Sequence, residues 1–202
     1  MEEVDTHKVL GLTIDNNLSW GPHISVLCKK VAKQLYQLSK IKHFLDMPSR
    51  KLFFNAFVQT SIDYASSIWD SSSANNFKPL FSLHRRGIKL ILSKSSSIHI
   101  SDYKQLDILP LKSRFLLNKG TMMQKIMLHR APLCLIKKFQ FNVSRHFHKI
   151  IIPLPRLDLY KTSLAYSGGT LWNNLPISIK STTSLLTFRK NFHKHLLNST
   201  LC

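Results

Sequence analysis

Acidic residues are scarce in this sequence. Of 202 residues, 10 are Asp or Glu against 29 Lys or Arg, a formal net charge of +19. The glutamates are Glu2 and Glu3 alone. No acid lies between Asp107 and Asp158, where ten Lys or Arg occur, and none follows Asp158. Nucleotidyl transfer by two metals needs carboxylates gathered closely enough to hold the ions. With Glu2–Glu3 as the one adjacent pair, no such cluster is supplied and no catalytic residue is assigned. Asp63 and Asp70 stand seven apart in one predicted helical segment, so near one face. Such a pair reads as capping or solvated surface rather than as metal ligands.

Other absences narrow the field further. Cys28, Cys134 and Cys202 are too few and too widely spaced for a disulfide framework, which points to a reducing compartment, nucleus or cytoplasm. Cys202 with His193 and His195 matches no usual zinc spacing, so no metal site is expected. No run of 18 apolar residues exists, so no membrane span is expected. The start, MEEVDTHKVLG, is acidic and has no apolar core, unlike a signal or transit peptide. The patterns G-x-x-x-x-G-K-[ST], G-x-G-x-x-G and G-x-S-x-G are missing, and with them the common phosphate loops and the hydrolase nucleophile elbow. The stretch Tyr166 to Pro176, YSGGTLWNNLP, has two glycines and a threonine but no lysine to hold phosphate. It is expected to be a turn whose glycines take a backbone conformation closed to other residues, followed by a Trp172 anchor and an Asn-Leu-Pro reversal.

What is present is a basic and apolar chain. Hydrophobic residues make up 44 %, enough to fill a core and to argue against wholesale disorder. A domain with this charge repels itself unless a polyanion neutralises it. Nucleic acid is the commonest, bound through phosphates with release of counterions. The alternative is a surface of solvated lysines without a partner.

The periodicity is mostly helical. Val9 to Ile14 reads as a short buried strand with no partner nearby, ended by Asp15-Asn16-Asn17. Gly21-Pro22 opens a helix with Ile24, Leu27, Cys28, Val31, Leu35 and Leu38 inward, and Lys29, Lys30, Lys33, Gln37 and Lys40 outward. Asp46-Met47-Pro48 starts a second, with a stripe of Leu52, Phe53, Ala56, Phe57 and Tyr64, running on through Ile68 and Trp69. A third, from about residue 79 to 92, points Leu80, Leu83, Ile88 and Ile91 inward and Arg85, Arg86 and Lys89 outward. A fourth spans about 112–129, its apolar side formed by Leu116, Leu117, Met122, Met123, Ile126 and Met127. Pro132 opens a short helical piece, and residues 149–153 form an extended edge segment limited by Pro153 and Pro155. Ser184 caps a last helix with Leu185, Phe188, Phe192 and Leu196 on one face.

Several segments, in this order, resemble the C-terminal part of non-LTR (LINE-type) retrotransposon reverse transcriptases, nearest the CR1 and jockey-like elements. VLGLTIDNNLSWGPHI (Val9 to Ile24) is similar to the strand and turn just after their palm. FVQTSIDYASSIWD (Phe57 to Asp70) resembles the helix that follows. LDILPLKSR (Leu106 to Arg114) resembles their L-x-W-L-P-L segment. YSGGTLWNNLP and then SLLTFRKNF (Ser184 to Phe192) are similar to their near-terminal signature.

The resemblance implies a mainly α fold: a thumb-like helical bundle, a short N-terminal strand left from the palm, and a small C-terminal extended and helical segment. It implies a division into 1–20 (palm end), 21–95 (thumb-like helices) and 96–202 (basic C-terminal region). The family copies RNA into DNA with carboxylates in fingers and palm, including a Tyr-Ala-Asp-Asp type motif. Ile62-Asp63-Tyr64-Ala65 is not that motif. The expectation is therefore a non-catalytic fragment of an RNA-directed DNA polymerase, lacking the palm and fingers that would be its partners. It would need no cofactor, Mg2+ belonging to the full-length enzyme. It would bind RNA or DNA backbone through Lys29, Lys30 and Lys33 on the first helix and Arg85, Arg86 and Lys89 on the third. A standalone basic helical nucleic-acid-binding protein and a decayed, functionless remnant are the alternatives.

Overall fold

In the computed structural model, which describes residues 5–143 and 148–199, the chain is mainly α-helical. Glu2, Glu3 and Cys202, which enter the expectations above, lie outside the described residues. Two units are formed, Met1–Ala65 with Ser72–Leu111, and Ser66–Ser71 with Lys112–Cys202. The divisions expected at residues 20 and 95 both fall inside the first.

The first unit opens on a hairpin. Thr6–Val9 (β1) pairs antiparallel with Leu12–Asp15 (β2), Val9 opposite Leu12, which leaves Leu10-Gly11 as a two-residue turn. Both have positive φ, 48° and 82°, as the mirror-image hairpin turn requires. The lone strand expected over 9–14 is thus corrected. Its second and third residues are the turn, and the strand that follows, Leu12–Asp15, pairs with Thr6–Val9. Leu-Gly lacks the Asn-Gly or Asp-Gly signature that announces such turns, which hid the hairpin.

The Asp15 carboxylate then accepts the backbone N–H groups of Ser19 and Trp20, each at 2.9 Å, and sets the start of α1 (Gly21–Ile41). Ile24, Leu27, Val31, Leu35 and Leu38 are buried on α1 as the spacing predicts, joined by His23. Asp46 caps α2 (Met47–Phe53), accepting from the Ser49 N–H at 3.0 Å. The helix continues through a wide turn, Phe54–Gln59, with one extra residue in its hydrogen-bonded ring, into α3 (Thr60–Asp63).

That extra residue helps decide which face is buried. Phe54, Val58, Gln59 and Ile62 go inward. The expected stripe of Leu52, Phe53, Ala56, Phe57 and Tyr64 is turned toward solvent, with Leu52 70 %, Phe57 52 % and Tyr64 55 % exposed. Leu52, Phe53, Phe54, Phe57 and Val58 put apolar side chains all round this segment, so periodicity alone could not choose the face.

The expected run through Trp69 also breaks. Tyr64 leaves helical geometry and Ala65 has φ 51°. Ser66–Trp69 (α4) belongs to the second unit. Ser73 then caps α5 (Ala74–Leu92), which starts before Pro79 and carries that proline inside it. Phe77, Leu80, His84, Gly87, Ile88 and Ile91 are buried on α5, while Leu83 is half-buried. At Gly87 a Cβ would stand 2.3 Å from the Phe54 ring and 3.2 Å from Leu35, so α5 approaches its neighbours closely there. The short helix α6 (Ile100–Gln105), not anticipated from the sequence, completes this unit.

In the second unit, α7 (Leu111–Met127) buries Leu117, Met123 and Ile126 as expected. Leu116 is exposed, Met122 and Met127 are half-buried, and Phe115, Lys119 and Gln124 are buried in their place. Trp69 meets Phe115 edge-on at 5.3 Å, and Lys119 pairs with Asp70 at 2.8 Å, tying α4 to α7. After α8 (Leu133–Ile136), Gln140–Val143 (β3) and His148–Ile151 (β4) form an antiparallel hairpin, so the extended segment around 149–153 has a strand partner. Asp158–Thr162 (α9) and a second wide turn, Leu164–Gly168, lead to α10 (Gly169–Asn174) and α11 (Ile177–Lys180). The last helix, α12 (Leu185–Ser199), buries Phe188, Phe192 and Leu196 behind Ser184, as expected.

The YSGGTLWNNLP segment is not the predicted turn. Gly168 (φ −70°) and Gly169 (φ −61°) are helical. Their lack of a side chain serves packing instead. A Cβ on Gly168 would lie 2.7 Å from Met123 Sδ, and one on Gly169 3.3 Å from Ile150 Cγ2. Trp172 is the anchor expected of it, buried and stacked on Phe188 at 6.1 Å. Asn173 donates to the Ile150 carbonyl at 2.8 Å and accepts the Ile150 N–H at 3.0 Å, holding the free edge of β4.

Candidate nucleic-acid interface

The outward face of α5 follows from its core face. With Leu80, His84, Ile88 and Ile91 inward, Ser82, Arg85, Arg86 and Lys89 fall on the opposite side. Ser93 ends the helix in a left-handed conformation (φ 51°), and the Lys94 N–H bonds back to the Lys89 carbonyl at 3.1 Å. The following loop returns beside α5 and is fastened there. Lys94 Nζ lies 2.9 Å from Asp102 Oδ1, and the His99 N–H donates to Asp102 Oδ2 at 2.8 Å. Lys89 Nζ donates to the Ser95 carbonyl at 3.4 Å.

The result is an open groove of about 400 Å³ lined by Ser82, Arg85, Arg86, Lys89, Ser97 and Ile98. It gathers two guanidinium groups, one ammonium and two hydroxyls, and among the described residues no carboxylate lines it. Planar guanidinium groups beside hydroxyl donors suit phosphate oxygens. Behind the groove, Tyr103 stacks on His84 with ring centroids 5.9 Å apart. Burial raises the Tyr103 phenol above its usual range, and the nearby positive charge of Arg85 opposes that rise.

Lys29, Lys30 and Lys33 are all exposed on α1, opposite its buried stripe. The structure therefore brings Arg85, Arg86 and Lys89 together around one groove, with Lys89 partly covered. It leaves the α1 lysines as a separate face on a neighbouring helix. Ser82, Ser97 and Ile98 are the residues that sequence reasoning missed. Ser82 is readable from the α5 wheel, whereas Ser97 and Ile98 arrive through a loop closure that no local pattern announces.

The few acids are largely occupied in building the fold. Asp15 accepts the Ser19 and Trp20 N–H groups ahead of α1, Asp46 caps α2, Asp63 accepts from the Gln59 amide at 3.0 Å, Asp70 holds Lys119, and Asp102 holds Lys94 and the His99 N–H. Burial pushes the Asp70 carboxyl above its usual range while Lys119 opposes it. Asp63 and Asp70 end in different units. Among the described residues no group of three or more His, Cys, Asp or Glu is placed to hold a metal, and no helix is long and apolar enough to cross a membrane.

No protein-family model, no curated protein and no solved structure matches this chain.

Proposed function

We propose that this chain binds nucleic acid through its phosphate backbone, as the non-catalytic thumb and post-thumb region of a non-LTR retrotransposon reverse transcriptase. The observation that carries the binding is the α5 groove, where Arg85, Arg86 and Lys89 converge with two serine hydroxyls. A surplus of +19 and acids already engaged in caps and buried pairs support it. The kinship rests on the order of the sequence segments that resemble that family. Its expected strand without partners does not support it, because β2 pairs with β1. That closed hairpin favours a second reading, a standalone basic helical nucleic-acid-binding protein, since the strand needs no lost sheet. An in-frame palm with a Tyr-Ala-Asp-Asp box in the transcript upstream of this segment would favour the first reading over the second.

Fluorescence anisotropy with labelled RNA–DNA hybrid and unrelated duplexes, across several salt concentrations, tests the binding. Affinity should fall steeply with salt, with a log–log slope of about −0.7 to −0.9 per phosphate neutralised. Sequence preference should be slight, because phosphate contacts carry no sequence information. Replacing Lys29, Lys30, Lys33, Arg85, Arg86 and Lys89 by Gln should flatten the slope and leave the circular dichroism unchanged. Salt-independent binding, or an unchanged slope in the six-fold variant, refutes this interface. Incorporation of labelled dNTP by the repurified chain would refute the non-catalytic assignment.

A further inference from the structure

The outward face of α1 holds one ring among its lysines. Ile24, Leu27, Val31, Leu35 and Leu38 are buried, so the opposite side of the helix carries Lys29, Lys33, Tyr36 and Lys40. All four are exposed, Tyr36 by 56 %. They lie within about 60° of one another around the axis and along about 16 Å of it. The Lys40 side chain reaches back over the preceding turn, and its Nζ stands 5.2 Å from the centroid of the Tyr36 ring. No acid on α1 offsets these charges, and neither α5 nor the wide turn Phe54–Gln59, both packed against it, carries one. Asp15 on β2 and Asp63 on α3, also packed on α1, already accept from the Ser19 and Trp20 N–H groups and from the Gln59 amide. Val31, Leu35 and Leu38 are fully buried, so the ring and the lysines stand on a fixed helix.

Such a face has two complementary parts. Its ammonium groups attract a polyanion, and its aromatic ring offers a platform for stacking. A base inside a duplex has both faces covered by its neighbours, so the ring has nothing to stack on there. An unpaired strand brings phosphates and open base faces together. We propose, on the footing of the phosphate binding above, that α1 holds an unpaired nucleic-acid strand, with one base stacked on Tyr36 and neighbouring phosphates on Lys29, Lys33 and Lys40. The Lys40 ammonium leaves the ring for a phosphate as the base arrives, because an exposed cation–π contact is weaker than a base stack. An acidic protein would use the lysines and leave the ring idle. A lipid surface would need a broad apolar face, and α1 buries its own in the core. A duplex meets the same lysines through phosphates alone.

The test is fluorescence anisotropy on the full chain, freed of nucleic acid by nuclease. The probes are a labelled oligothymidylate of about 12 nucleotides, within the usual site size, and a duplex of equal length. Tyr36→Ala should weaken the single strand by roughly tenfold, the size of one lost stack, and leave duplex affinity in place. Tyr36→Phe keeps the ring and should keep the single-strand affinity. Tyr36 is exposed and Ala is the better helix former, so the Ala variant should fold as the parent does by circular dichroism. It removes no phosphate contact, so its log–log salt slope on the single strand should match the parent's, whereas Lys40→Gln should flatten that slope by about 0.7. A 2-aminopurine base within the oligothymidylate should lose fluorescence on binding the parent and keep it with Tyr36→Ala. Unchanged single-strand affinity in Tyr36→Ala overturns the proposal, and salt-dependent duplex binding in the same experiment leaves the α5 groove standing. An equal loss on both probes overturns it too, as does Tyr36-dependent binding to phosphatidylserine vesicles without binding to the oligothymidylate. A parent chain that binds neither probe refutes this strand site and the phosphate binding together.

Discussion

Removing the Trp172 indole tests whether the YSGGTLWNNLP segment is the structural anchor described here. Trp172 is 3 % exposed and stacked on Phe188 at 6.1 Å, with Lys180 Nζ 6.0 Å from its ring centroid. Truncating a buried Trp to Ala costs about 3–5 kcal/mol in lost transfer and cavity terms. One feature reduces that figure. The indole Nε1 is buried without an acceptor, and leaving such a donor unpaired costs about 1–3 kcal/mol, which Ala does away with. The expected loss for Trp172→Ala is therefore about 2 kcal/mol, a fall in Tm of roughly 4–8 °C in a chain of this length. Trp172→Phe keeps the ring on Phe188 and removes the unpaired donor, so it should stay within about 1 kcal/mol of the parent. Urea unfolding followed by far-UV circular dichroism reads both, with no dependence on tryptophan emission. An Ala variant that unfolds with the parent refutes the anchor. A Phe variant as damaged as the Ala variant shows that the indole N–H is engaged after all.

Two further outcomes follow from the packing. Gly87→Ala and Gly120→Ala would place a Cβ 2.3 Å from the Phe54 ring and 2.4 Å from the Phe192 ring, so each should lose about 1–3 kcal/mol by overpacking despite the better helix propensity of Ala; a gain in urea midpoint for either would disprove the close approach. His23 is buried, which holds its imidazole below the usual pKa, and its Nδ1 accepts the Thr13 N–H at 3.4 Å. The unfolded chain binds the proton more readily, so stability should decline as pH falls through about 6.5 toward the depressed folded value, and His23→Gln should remove that part of the pH profile; an unchanged profile counts against a buried neutral His23.

Much of the helical skeleton is legible in the sequence because its helices are amphipathic in the ordinary way. On α1 the buried and lysine-rich faces separate cleanly, and on α12 Phe188, Phe192 and Leu196 follow one turn after another. Legibility failed where apolar residues surround the helix. Between Leu52 and Val58 either face could have been the core, and the wide turn at Phe54–Gln59 helped choose Phe54, Val58 and Ile62. It failed again where glycine answers to a distant residue. Gly168 lies against Met123 and Gly169 against Ile150, and no local pattern distinguishes that from a turn. The basic groove was half legible. Arg85, Arg86 and Lys89 share a face by spacing alone, but the wall formed by Ser97 and Ile98 depends on the Lys94–Asp102 bridge.

Ser66–Ser71 belongs with residues 112 onward, although the stretch between them belongs elsewhere. This sets an order of events during synthesis. Trp69 and Asp70 leave the ribosome well before Phe115 and Lys119, and at roughly 5–20 residues per second they wait a few seconds for the helix that covers them. During that interval a large aromatic side chain is open to chaperones. It also forbids a simple dissection. A break at Leu111 strands Trp69 and Asp70 on the wrong piece and leaves Lys119 a buried cation with no counter-charge. The second unit is obtainable as a continuous polypeptide only if Ser66–Ser71 is re-attached by permutation or supplied as a peptide.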